Sequence, residues 1–93
     1  MDKVYSKNPD VVFRKIADEF ILVPIRQKVV DLKSVYTLNE TGAFIWEQID
    51  GSTPASGIRD RLAAEFEVEA SQAETDVSGL LSQLETLTFI RPA

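Results

Sequence analysis

Apolar and polar positions fall into two regimes along this chain. Up to about residue 38 the apolar residues come in short dense runs. After it they recur every three or four positions. Val11–Ile16 (VVFRKI), Phe20–Ile25 (FILVPI) and Ser34–Leu38 (SVYTL) have strand length and are rich in β-branched and aromatic residues. Short connections between them favour an antiparallel meander. Pro24 cannot donate to a ladder, so the second strand ends near Val23, bulges, or turns that nitrogen toward solvent. Arg26–Lys33 reads as a loop with some strand character, and residues 1–10 as a polar, flexible N-terminus ahead of a single domain over 11–91.

From residue 39 the period changes. Gly42, Ile45, Trp46 and Ile49 share one face of a helix over Asn39–Asp50, which Gly51 stops. Asn39 is one capping candidate, and Thr37 with Glu40 is a competing capping box. Thr53-Pro54 restarts the chain as cap and first helical residue, and Ile58, Leu62 and Phe66 carry a second amphipathic helix. Ser71 with Glu74 reads as the capping box of a third helix, whose stripe runs Ala73, Val77, Leu80, Leu81, Leu84, Leu87. Phe89-Ile90-Arg91 is a short extended tail. Strands first and helices after give an α+β fold, winged helix-turn-helix-like, with a three-stranded antiparallel sheet followed by three helices.

Composition narrows the chemistry. With no cysteine and no histidine there is no thiolate nucleophile, no Cys-zinc site and no imidazole base, and no glycine pattern matches a phosphate loop. The carboxylates fall mostly on helix exteriors, so no enzyme, cofactor or metal is expected. The longest apolar run, Phe20–Ile25, is far short of the ~20 residues a membrane span needs. No secretory signal opens the chain, and a cytoplasmic location is expected. The formal charge of −5 is uneven: residues 1–33 hold seven Lys/Arg and five Asp/Glu, residues 34–93 three and ten. The third helix, the recognition helix of a winged fold, has no Lys or Arg between Ala70 and Leu87 and carries Glu74, Asp76 and Glu85. Phosphate contact needs cations, so nucleic acid is not an expected partner. Peptide binding needs only an edge strand with an apolar groove beside it, and the third strand of a meander is such an edge. The third helix's stripe is broad enough to line a groove, with plain core burial of Leu80, Leu84 and Leu87 as the competing reading.

The string Leu38-Asn39-Glu40-Thr41-Gly42-Ala43, with Ile45-Trp46 and Asp50-Gly51, resembles the signature of the PqqD family. The resemblance extends from about Val12 to Ile90 through Phe66-Glu67-Val68, Ala73, Asp76-Val77, Leu80-Leu81, Leu84 and Phe89-Ile90. These small modules, also called RiPP recognition elements, hold the leader of a ribosomally made precursor peptide for a modifying enzyme, often a radical SAM enzyme. Lasso-peptide leader binders share the same string, so the resemblance leaves the pathway open. It implies a non-catalytic peptide chaperone that takes the leader as an added strand beside the third strand, in the groove to the third helix. Carried over by position, the pairing edge is Ser34, Val35, Tyr36 and Thr37. The groove wall is Asp76, Leu80, Gln83, Leu84 and Leu87. Asp76 either pairs with a leader Lys or Arg or favours its helix electrostatically. Asn39, Gly42, Trp46 and Gly51 are expected to be structural (cap, close approach, core and stop) and clear of the ligand. A winged-helix regulator or scaffold with no peptide ligand is the alternative.

Overall fold

The computed structural model describes residues 2–26, 29–30 and 35–93. The elements run β1 (Tyr5–Lys7), β2 (Val11–Ile16), β3 (Glu19–Arg26), β4 (Val29–Val30), β5 (Tyr36–Leu38), α1 (Glu40–Gln48), α2 (Ala55–Phe66), α3 (Ala70–Thr86) and β6 (Ile90–Pro92). Strand β3 is the centre of an antiparallel sheet. On one side it pairs with all of β2, from Val11 opposite Pro24 to Ile16 opposite Glu19. On the other it meets β4 through Ile25–Val30 and Arg26–Val29, then β5 through Phe20–Leu38, Ile21–Thr37 and Leu22–Tyr36. The expected sheet followed by three helices is the observed architecture.

Pro24 sits inside β3, where the register shows which way its nitrogen points. The Ile25 N–H donates to the Asp10 carbonyl at 2.7 Å, continuing the β2–β3 register. Opposed residues in an antiparallel pair alternate between hydrogen-bonded and non-hydrogen-bonded, so Val12/Val23, Arg14/Ile21 and Ile16/Glu19 are hydrogen-bonded pairs. The even residues of β3 therefore aim their backbone groups at the β4/β5 side. Pro24 is one of them and has no N–H to give. Neither β4 nor β5 pairs with it: β4 reaches Ile25 and β5 starts at Leu22. The strand itself continues through Pro24, and the proline ring is buried.

The even face of β3 and the helices share one core. Leu22 from β3, Leu38 from β5, Ile45 and Trp46 from α1, Ile58 and Leu62 from α2, and Val77, Leu81 and Leu84 from α3 are all buried in it with Phe89. Full burial of such a side chain contributes about 1.5–3 kcal/mol. The helix starts depart from the sequence reading by a residue or two. Asn39, not Thr37, caps α1, its Oδ1 accepting from the Gly42 N–H at 2.8 Å. Thr53 is not the cap of α2. Its N–H and hydroxyl donate to Asp50 at 2.7 and 2.9 Å, Pro54 takes the cap position, and α2 begins at Ala55. Those bonds and the Ser52 N–H hold the Asp50 carboxyl below the usual carboxylate range. Ser71 does not cap α3, which starts one residue earlier behind Glu69 with no side-chain cap. Glu67, at φ 52°, makes the left-handed turn between α2 and α3.

The N-terminus is not a loose arm. Strand β1 pairs antiparallel with β6, Tyr5 opposite Pro92 and Lys7 opposite Ile90. The Gly51 and Ala55 N–H groups donate to the Tyr5 and Lys3 carbonyls at 3.0 and 2.9 Å. Gly51 takes φ 81° here, which suits glycine best. Tyr5 is buried, and Lys7 lies over Trp46 with its Nζ 5.1 Å from the ring centroid. Burial pushes the Lys7 pKa below its ordinary value, with Glu47 and Asp50 opposing.

Candidate functional site

The backbone of β5 decides which of its groups are available. Because the even residues of β3 point toward β5, Leu22/Tyr36 and Phe20/Leu38 are the hydrogen-bonded pairs. Tyr36 and Leu38 spend their N–H and C=O groups on β3. Thr37 turns both of its groups the other way, off the sheet. No described strand pairs with β5 on that side. Thr37 also sends its exposed side chain to the face opposite Tyr36 and Leu38.

Beside that edge lies a cleft of about 540 Å³. Its walls are Tyr36, Thr37 and Leu38 from β5, Asn39, Thr41, Gly42 and Ile45 from the cap and first turns of α1, and Asp76, Leu80 and Gln83 from α3. The α3 residues fall at i, i+4 and i+7, one narrow stripe next to the core stripe of Val77, Leu81 and Leu84. Leu38, Ile45 and Leu80 make the apolar part. Asp76 is the charged member: among the described lining residues there is no Lys or Arg. Its Oδ1 accepts from the Gln72 Nε2 one turn earlier, at 2.9 Å. The Tyr36 hydroxyl donates to the Gln83 side-chain oxygen, a bond across the cleft from β5 to α3.

The structure thus brings together Tyr36, Thr37, Asp76, Leu80 and Gln83 from the expected edge and wall. Ser34 lies outside the described residues, and Val35 is half-buried just before β5 without lining the cleft. Leu84, expected on the wall, is at 0% exposure in the core. Leu87, at 37%, is the C-cap of α3, beyond the last lining residue. Two of the residues expected to stay clear of the ligand line the cleft: Asn39 and Gly42. Thr41 and Ile45 line it as well. Their signal was the sequence order, since a cap directly following an edge strand must border the same groove. Gly42 has a packing reason to be glycine. A Cβ there would lie 3.0 Å from Leu38 Cδ2 and 3.2 Å from the capping Asn39 Oδ1. Trp46 is core and Gly51 a turn, both away from the cleft.

A second cleft of about 410 Å³ sits between Asn8-Pro9 and the end of α3 with β6. Its strand is a poor edge. Ala93 and Asn8 donate to the Val4 and Phe89 carbonyls, so the outward-facing residues of β6 are Ile90 and Pro92. Pro92 has no donor to offer.

The chain matches the family described as "Coenzyme PQQ synthesis protein D (PqqD)" over residues 19–90, well over half its length. No curated protein matches the sequence. Two solved structures are similar in fold. One is TbiB1 in complex with the TbiA(beta) leader peptide, 22% identical, covering 92% of this chain and 94% of its own, at a TM-score of 0.72. The other is a lasso peptide synthetase B1 complexed with the leader peptide, also 22% identical, covering 95% and 98%, at 0.74.

Proposed function

The chain belongs to the PqqD family, and from that premise we propose that it is a non-catalytic chaperone for the leader of a ribosomally made precursor peptide. The leader adds to the sheet as a strand at β5 and its inward side chains enter the cleft. One observation carries this reading: the backbone N–H and C=O of Thr37 face away from β3 beside a cleft with an apolar part at Leu38, Ile45 and Leu80. Val35, one strand period away, has the parity to extend the pairing. Leu80 and Ile45 supply apolar surface, and Asp76 gives the cleft a negative charge suited to a leader Lys or Arg. Both similar solved structures are complexes with a leader peptide, which supports a leader as the ligand here.

The bound leader is presented to a modifying enzyme. On our reading that enzyme is a radical SAM enzyme working in the cytoplasm, in pyrroloquinoline quinone or related peptide-derived product biosynthesis; the family description, which names coenzyme PQQ synthesis, supports the pathway class. Titration with the leader of a short precursor peptide from the same gene neighbourhood, where one is found, followed by backbone NMR, tests the reading. Shifts should centre on Val35–Leu38 and on Asp76–Gln83. Thr37→Pro removes the outward donor and should weaken binding at least about tenfold, which corresponds to 1.4 kcal/mol. Full affinity in a folded Thr37→Pro protein overturns strand addition at β5.

A further inference from the structure

The Tyr36–Gln83 hydrogen bond stands at one end of the cleft. Tyr36 is the first β5 residue to line it and Gln83 the last from α3; neither Val35 nor any α3 residue after Gln83 takes part. Among the described residues, the remaining walls, from Leu38 on through Asn39, Gly42 and Ile45, with Leu80 and Asp76 opposite, are joined by no side-chain hydrogen bond across the cleft. The cleft is therefore bridged at the start of β5 and unbridged toward α1.

An added strand meets these two ends with different side chains. If Thr37 exchanges both backbone bonds with it, the flanking ligand residues lie opposite Tyr36 and Leu38. Opposed residues share a face, so those two ligand side chains both point into the cleft. They are about 6.8 Å apart, one strand period. The stretch of α3 from Asp76 to Gln83 is on the order of 10 Å, long enough to face such a pair.

We propose that Tyr36 and Gln83 set the sequence specificity of the cleft. The inward position opposite Leu38 takes a large apolar side chain against Leu80 and Ile45. The inward position opposite Tyr36, beside the bridge, takes only a small one. The preferred ligand is an extended segment with a large apolar residue and a small residue two positions apart. This rests on the strand-addition reading above and adds the residue pattern to it.

Two synthetic peptides test it without knowledge of the natural leader. Peptide KTLTLTLTK offers leucine at both inward positions in the two registers that set an inner threonine opposite Thr37. Peptide KTLTATLTK replaces the central leucine by alanine, so one register puts alanine beside the bridge and leucine opposite Leu38, whichever way the strand runs. Affinities are read by NMR shifts of Val35–Leu38. The wild type should bind the alanine peptide at least about fivefold more tightly, although it is the less apolar of the two. Gln83→Ala removes the bridge at an exposed position and should bring the ratio below twofold by improving the all-leucine peptide. Tyr36→Phe, which keeps the ring and loses the hydroxyl, should move the ratio the same way. An all-leucine peptide that binds the wild type as well as the other overturns the proposal, and so does a ratio unchanged by both substitutions. If neither peptide shifts Val35–Leu38, strand addition itself fails and the proposal falls with it.

Discussion

Strands β2 and β5 both border the sheet, and they border it in different ways. By the β2–β3 register, Phe13 and Lys15 of β2 turn their backbone groups outward. The Phe13 carbonyl is covered by the Arg14 side chain of the same strand, whose Nη1 donates to it at 3.0 Å. Lys15 and Arg14 put two cations on that border, Lys15 standing 5.5 Å over the Phe20 ring. The cleft that touches β2, at Val11, is only about 60 Å³. The face that β2 and β3 share there carries Val12, Arg14, Ile16, Ile21, Val23 and Ile25, with Ile16 at 59% exposure and none of the six in the core. Strand β5 is half as long and, among the described residues, offers Thr37 with no strand on its outward side and no Lys or Arg in the lining, beside a shaped cleft. An exposed edge alone is therefore a hazard that charges blunt. Uncovered backbone groups next to room for side chains are what make an edge a receptor.

The largest effect separates the cleft from the core on α3. Leu84 and Leu80 are one turn apart, the first fully buried, the second half-buried on the cleft wall. Leu84→Ala should cost about 2–5 kcal/mol in urea unfolding, because the core cannot fully close over the lost volume. Leu80→Ala should cost about 1 kcal/mol and yet weaken leader binding more than any other single change on α3. If Leu80→Ala leaves binding intact, the cleft is not the receptor and β5 loses its distinction from β2.

Next come the two borders themselves. Lys15→Pro removes an outward N–H from β2, just as Thr37→Pro does from β5. Calorimetric titration should find leader affinity within twofold of wild type for Lys15→Pro, against the tenfold loss expected for Thr37→Pro. The reverse ranking would move the receptor to β2.

Much of this comparison could be read from the sequence, and the part that could not has a physical reason. Periodicity located β2, β3, β5 and all three helices, because amphipathic faces are local patterns. Strand β1 left no such trace. Its YSK is polar, and its partner β6 lies at the far end of the chain, so the pairing that orders it is entirely non-local. The edge character of the third strand followed from topology. Which of its residues face out did not, since that parity is set by β3 and anchored at Asp10–Ile25. Tyr36 stood as an edge residue in the sequence and proves to spend its backbone on Leu22. On α3 one broad apolar stripe covered two surfaces, and only the neighbouring elements divide Leu80 from Leu84.

A smaller effect concerns the scaffold of the cleft. Gly79 lies within α3, between Asp76 and Gln83, where a Cβ would meet nothing within 4 Å. Gly79→Ala should raise stability by roughly 1 kcal/mol through helix propensity, seen as a higher Tm. With no packing loss on this side, a fall in stability would mean that α3 is seated differently against β5.

The smallest effect tests the cover on β2. Arg14→Ala frees the Phe13 carbonyl to water, so the monomer should lose little: a net hydrogen bond is worth about 0.5–1.5 kcal/mol and solvent replaces it at an exposed edge. Association between copies should respond more, because the bare carbonyl, the outward Lys15 and the Phe13 N–H then form an unguarded row. Sedimentation equilibrium should show self-association rising two- to tenfold over wild type. Repeating it with leader peptide at saturation tells the borders apart. Association that persists with β5 occupied runs through β2, as the comparison requires. Association that the peptide abolishes runs through β5, and Arg14 is then not what keeps the copies apart.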